Sequence, residues 1–125
     1  MAKVLGIGGV FFKAENGEAV GEWYRRVLGV DVSEWGGAMF PPLKRGYQVW
    51  SPFKADTNYF DPSRSTFMIN FVVDDLDGVL ETALAAGVEP LDRNDEDPSG
   101  RFAWLMDPAG VKIELWEPPE ADPVS

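Results

Sequence analysis

Apolar and polar positions alternate most clearly between Arg101 and Pro118. Phe102, Trp104 and Met106 interleave with Arg101, Ala103 and Leu105, and Ile113 and Leu115 interleave with Lys112, Glu114 and Trp116. A period of two is the mark of strands, so this stretch predicts one β-hairpin. Asp107-Pro108-Ala109-Gly110 joins its arms: Asp opens a type I turn, Pro presets φ at the next position, and Gly takes the positive φ that follows. Asp107 is therefore read as a turn residue. Glu114 is the single carboxylate among apolar neighbours on the second arm, sharing a face with Trp116. A buried unpaired charge costs several kcal/mol, so Glu114 belongs on a wet sheet face or inside a cleft.

Elsewhere the spacing is helical. Ala19, Val20, Trp23, Val27 and Leu28 predict a helix from about Gly17 to Leu28, with Asn16 as cap and Gly29 as left-handed stop. Leu76, Val79, Leu80, Ala83 and Leu84 predict a second, from Leu76 to Ala86, with Asp75 as cap and Gly87 after it. Thr66 to Val73 reads as a strand. Val4 to Lys13 reads as extended, since Gly6, Gly8 and Gly9 disfavour a helix. Shorter extended pieces are expected over Val30 to Trp35, Gly37 to Phe40, Gly46 to Pro52 and Val88 to Leu91. Phe53 to Ser65, with Tyr59 and Phe60 among Pro, Asp and Ser, reads as an ordered connector or lid.

The two halves repeat this plan. Laying Leu28-Gly29-Val30 on Ala86-Gly87-Val88 superposes strand and helix in the same order at an offset of about 58. The expected fold is α+β: tandem βαβββ modules, at about 1–53 and 66–118 with connector 54–65, forming one curved mixed sheet with an internal cleft.

Composition narrows the chemistry. At 125 residues and 45% hydrophobic the chain suffices for one domain with a real core. A net charge of −10 leaves no clustered Lys and Arg for nucleic acid or an anionic membrane. No apolar run approaches the length of a membrane span, and with no Cys the chain suits a reducing compartment, so the cytoplasm is the expected location. The absence of His and Cys removes the usual zinc, copper and iron sites and the Ser-His-Asp and Cys-His nucleophiles. Carboxylate, Lys, Tyr or Arg chemistry remains.

Several segments together resemble the vicinal oxygen chelate superfamily, which holds the glyoxalases, bleomycin-resistance proteins and extradiol dioxygenases. They are Gly6 to Phe12, Trp23 to Val30, Asn70 to Asp77, Ala85 to Val88 and Asp107 to Pro118, in order over nearly the whole chain. In metal-dependent members the first and last strands of each half supply the ligands. Those positions fall here on Gly9, Met68, a residue near Trp50, and Glu114. Glu114 alone is a ligand type, and one carboxylate does not hold a divalent ion, so neither metal nor other cofactor is expected.

The resemblance also places a cleft between the strands. Alternation from its anchor positions selects Phe11, Gln48, Trp50, Met68, Asn70, Trp104, Glu114 and Trp116 as substrate-binding. Such an aromatic cavity with two amides and a carboxylate suits a small, partly apolar molecule. The leading expectation is a binding protein without metal. The alternatives are a glyoxalase-like lyase or isomerase with Glu114 as catalytic base, and a dioxygenase-like enzyme. Each half-sheet leaves edges to cover and the family pairs modules across chains, so a homodimer is expected.

Overall fold

The computed structural model describes residues 2–120. Its elements run α1 (Gly17–Leu28), β1 (Ile69–Val72), α2 (Leu76–Ala85), β2 (Asp92–Asp97), β3 (Gly100–Met106) and β4 (Lys112–Glu117). The four strands form one open mixed sheet in the order β1-β4-β3-β2, with β1 and β4 parallel and the other pairs antiparallel. The α+β class read from the sequence is the one observed.

α1 begins and ends on the residues the sequence offered, and α2 begins at Leu76 as expected and ends at Ala85, one residue before Ala86. The Asn16 side chain accepts the Ala19 amide at 3.0 Å, and the Asp75 side chain accepts the Gly78 amide at 3.1 Å. Each bond satisfies one of the amides that a first helical turn leaves without a partner. Gly29, at φ 69°, returns its own N–H to the Tyr24 carbonyl and stops α1. Val20, Trp23, Tyr24 and Val27 form the buried stripe of α1, and Leu76, Leu80 and Ala83 that of α2. The helices pack together on one face of the sheet, where Ile69, Ala103, Leu105, Ile113 and Leu115 complete the core.

The hairpin is formed as predicted. Leu105 pairs with Ile113 and Phe102 with Trp116, and the turn lies at 107–110. Asp107 holds that turn from inside: its Oδ1 accepts the amides of Ala109 and Val111 at 2.9 and 2.8 Å, and its Oδ2 accepts the Tyr24 hydroxyl. The turn reading of Asp107 stands, with a tie to α1 added. Burial raises the Tyr24 phenol above its ordinary pKa of 10.0, and the bond to Asp107 and its charge act in the same direction.

β1, at Ile69–Val72, is shorter than the expected Thr66 to Val73, and two further parts of the chain differ from expectation. The strand between α2 and the hairpin is Asp92–Asp97 rather than Val88 to Leu91. Its residues are almost all charged and exposed, so it carries no apolar alternation, and backbone pairing to β3 is what forms it. Charge on an outermost strand also discourages further pairing.

The second difference is in the first half. The βαβββ order is built once, by β1 to β4 with α2. Among the described residues none before Ile69 is in a strand ladder. Val4 to Lys13, Val30 to Trp35, Gly37 to Phe40 and Gly46 to Pro52 have no ladder partners, Glu34 and Trp35 lying in a turn and Gly46 standing at φ 78°, and three glycines in the first piece and Pro41-Pro42 after the third weaken pairing there. Their apolar side chains are left largely uncovered: Leu5 is 90% exposed and Met39 83%.

Candidate functional site

The face of the sheet opposite the helices carries the other parity of each strand. Asn70 lies beside Glu114 in the β1–β4 register, Trp104 beside Glu114 and Phe102 beside Trp116 in the β3–β4 register, so these five side chains share one surface. Glu114 is 8% exposed and hydrogen-bonded on both oxygens. Its Oε1 accepts the Asn70 amide Nδ2–H at 2.6 Å, and its Oε2 accepts Trp104 Nε1–H at 2.8 Å together with the Tyr59 hydroxyl. The sequence left a wet face and a cleft open for this carboxylate. It is nearly buried, and three donors satisfy it.

Beside this cluster runs a row of rings. Phe102 lies nearly parallel to Trp104, 6.1 Å between centroids and 11° between planes, and nearly parallel to Trp116 at 6.3 Å and 8°. Trp116 is fixed by its indole N–H, which donates to the Ser99 carbonyl at 2.8 Å, and by the edge of Tyr47 at 5.1 Å. Three nearly parallel rings on adjacent strands make an aromatic platform ending at the carboxylate, with Trp116, 5% exposed, as its buried base.

Tyr59 covers that end. It reaches Glu114 from the connector, meets Trp104 edge to face at 6.3 Å, and lies against Phe53 at 5.6 Å and 21°. Lys112 Nζ donates to the Tyr59 carbonyl at 2.7 Å and sits 5.3 Å from the Tyr59 ring centre. Burial raises the pKa of the Tyr59 hydroxyl, as do the bond to Glu114 and its charge, so the group is a donor throughout the physiological range.

Of the residues selected from the sequence, the structure brings together Asn70, Trp104, Glu114 and Trp116. Met68 is half-buried, immediately before β1. Phe11 and Trp50 are 92% and 81% exposed, and Gln48 Oε1 accepts the Ile7 amide at 2.7 Å; among the described residues none of the three is hydrogen-bonded to Glu114 or in ring contact with the platform. They were placed by counting along strands that the first half does not form. Phe102 was missed although its alternation with Trp104 was visible, and Lys112 shares the parity of Glu114. Tyr59 carried no periodic signal, because it sits in a segment of turns.

The residues around Glu114 do not fit a divalent cation. An amide N–H, an indole N–H and a phenol O–H all direct positive dipole ends at the carboxylate, where a hard cation needs further oxygens. Among the described residues no group of three His, Cys, Asp or Glu side chains converges anywhere. A separate cavity of about 300 Å³ lies on the other side of the sheet, lined by Leu28, Val30, Phe40, Phe71, Val73 and Leu115. It is mostly apolar, with Asp31 its one charged lining residue and without a comparable cluster of directed polar groups, so the Glu114 platform is the better candidate.

The profile of the glyoxalase-like domain family matches residues 9–116. The chain belongs to that family. No curated protein matches it significantly. Among solved structures, this glyoxalase-like domain is similar to TnmS3, an antibiotic-binding protein from a Streptomyces species, at 23% identity and TM-score 0.53, over 85% of this chain and 89% of that one. It is similar to the virulence protein STM3117 from Salmonella typhimurium at 17% identity and TM-score 0.50, over 85% and 90%. A putative glyoxalase family protein from Bacillus anthracis aligns at 22% identity and TM-score 0.39, over half of each chain. In that comparison and one other, the glyoxalase-like domain spans only 50% and 38% of the matched chain's length. At these identities the likeness is one of fold.

Proposed function

We propose that this glyoxalase-like domain binds a small, partly apolar molecule on the platform of Phe102, Trp104 and Trp116, oriented by Glu114 and without a metal ion. The observation that supports this most is the pairing of three nearly parallel rings with one carboxylate whose donors all converge on it. Flat rings supply contact area and a few directed polar groups supply orientation, which is the usual division of labour in a ligand site. The reported antibiotic binding of the similar Streptomyces protein agrees with a binding role, as analogy of fold.

A glyoxalase-like lyase with Glu114 as base is less well supported. With Tyr59 docked, both Glu114 oxygens are engaged, so a proton can be removed there only after Tyr59 has left. The nearest ammonium, Lys112, is spent on the Tyr59 carbonyl and ring, leaving no free cation there to stabilise an enediolate oxygen.

The working form we propose is a homodimer in a reducing, cytoplasmic setting. Uncovered apolar side chains in the first half favour the dimer, and the lack of Cys suits the compartment. The function is tested by a melting-temperature screen against small aromatic and aliphatic compounds, since a ligand that binds only the folded state raises stability by mass action. Stabilisation by aromatic compounds that fails in Trp104→Ala is the expected result.

A further inference from the structure

The group that occupies the polar end of the platform is a phenol belonging to the chain itself. Tyr59 presents its ring to the face of Trp104 and its hydroxyl to Glu114 Oε2, the oxygen that also receives the Trp104 N–H. Lys112 lies over the ring. Each contact is one that a free phenol in the same place would make.

Tyr59 is held by side-chain contacts and turns rather than by a ladder or a helix. It is 38% exposed. The local backbone bonds are single turn closures, Thr57 to Lys54, Asp61 to Asn58 and Ser63 to Phe60, and the Tyr59 N–H donates to the Thr57 hydroxyl. Lys112, and Ser63 donating to the Gly110 carbonyl, are the segment's other polar ties to the hairpin. A half-exposed side chain on such a segment exchanges with solvent at far lower cost than a core residue, because few buried contacts are lost when it swings out.

We infer that Tyr59 is an intramolecular stand-in for the ligand: the site takes a small planar aromatic molecule bearing a hydroxyl donor, which displaces Tyr59 from Glu114. This rests on the binding role proposed above, and it adds both the chemical class and a built-in competitor. The competitor weakens binding, because the apparent affinity is the intrinsic affinity multiplied by the fraction of molecules in which Tyr59 is undocked.

The test uses p-cresol, which is the tyrosine side chain as a free molecule, and toluene, which lacks only the hydroxyl. Binding is followed by the Trp104 indole N–H resonance, assigned with Trp104→Phe. Tyr59→Ala is expected to bind p-cresol at least about tenfold more tightly than the wild type, and to prefer it over toluene by about tenfold, the scale of a hydrogen bond to a charged group. That preference is expected to shrink to a few-fold when Glu114→Gln is added, because a neutral amide oxygen replaces the charged acceptor. Tyr59→Phe, which keeps the ring and loses only the hydroxyl, covers the case in which the alanine variant does not fold; it is expected to bind p-cresol more tightly than the wild type. Equal binding of p-cresol and toluene to Tyr59→Ala would overturn the inference while leaving an aromatic site in place. Wild-type affinity in both Tyr59 variants would overturn the competitor. No response of Trp104 to either compound in any variant would overturn the inference and the binding role together.

Discussion

Tyr59 and Glu114 stand 55 positions apart and are joined by a hydrogen bond from the phenol to the carboxylate, so the connector between the two halves is tied to the last strand at the most polar point of an aromatic surface. That bond covers the Glu114 end of the open sheet face. It also makes Glu114 a structural acceptor as well as the orienting group of the proposed site.

Replacing Glu114 therefore separates charge from hydrogen bonding. Glu114→Ala leaves three donors without their acceptor and is expected to cost about 2 to 3 kcal/mol in denaturant unfolding. Glu114→Gln keeps one acceptor oxygen for Tyr59 and Trp104, and Asn70 can turn its amide to meet the new one, so about 1 kcal/mol or less is expected. Equal losses for the two variants would show that the cluster does not hold the segment.

Asp107 gives a parallel case inside the protein. In Asp107→Asn the amide oxygen still accepts the Ala109 and Val111 amides, and the NH₂ group can face the Tyr24 oxygen. About 1 kcal/mol or less is expected for it, against about 2 to 4 for Asp107→Ala, which orphans all three partners. Urea unfolding of both variants measures the difference.

The Tyr24 phenol makes stability sensitive to alkali. Its folded pKa is raised above the ordinary value of 10.0 by burial and by Asp107, so the unfolded chain ionises first. The contribution of this group is complete below pH 10 and is lost as pH rises beyond it. Urea midpoints measured from about pH 8 to about pH 11 should fall at the upper end, and fall less in Tyr24→Phe. An identical slope in the variant would show that other groups carry the effect.

How far the sequence disclosed this molecule follows from what each signal depends on. The hairpin and both helices were legible because their alternation, caps and turn residues are local, and Glu114 stood out as a charge on an apolar arm. β2 was not legible, since Asp92–Asp97 is held by backbone pairing to β3 and its charged side chains carry no pattern. Phe11, Gln48 and Trp50 were assigned by extending the period of strands in the first half, where Gly-rich and Pro-interrupted backbone forms no ladder. Tyr59 joins the site through a tertiary contact, for which a connector sequence offers no periodic signature.

The uncovered apolar residues predict association. Leu5, Phe11, Met39 and Trp50 are each more than four-fifths exposed, an arrangement a monomeric soluble chain seldom leaves uncovered. Light scattering at micromolar concentration should give the mass of two chains, and Phe11→Asp with Trp50→Asp should lower it to one. A monomeric mass for the unmodified protein would remove the dimer.

The central claim, that the platform ending at Glu114 is a ligand site, is tested most directly by ligand-induced stabilisation across three variants. For any compound that raises the melting temperature of the wild type, Trp104→Ala and Glu114→Gln should each weaken binding by about 1 to 3 kcal/mol, the range for losing an aromatic wall or a charge-assisted hydrogen bond. Trp35→Ala, which removes an exposed ring in the first half that makes no ring contact with the platform, should leave it unchanged. Wild-type affinity in both platform variants, or loss only in Trp35→Ala, would contradict the account.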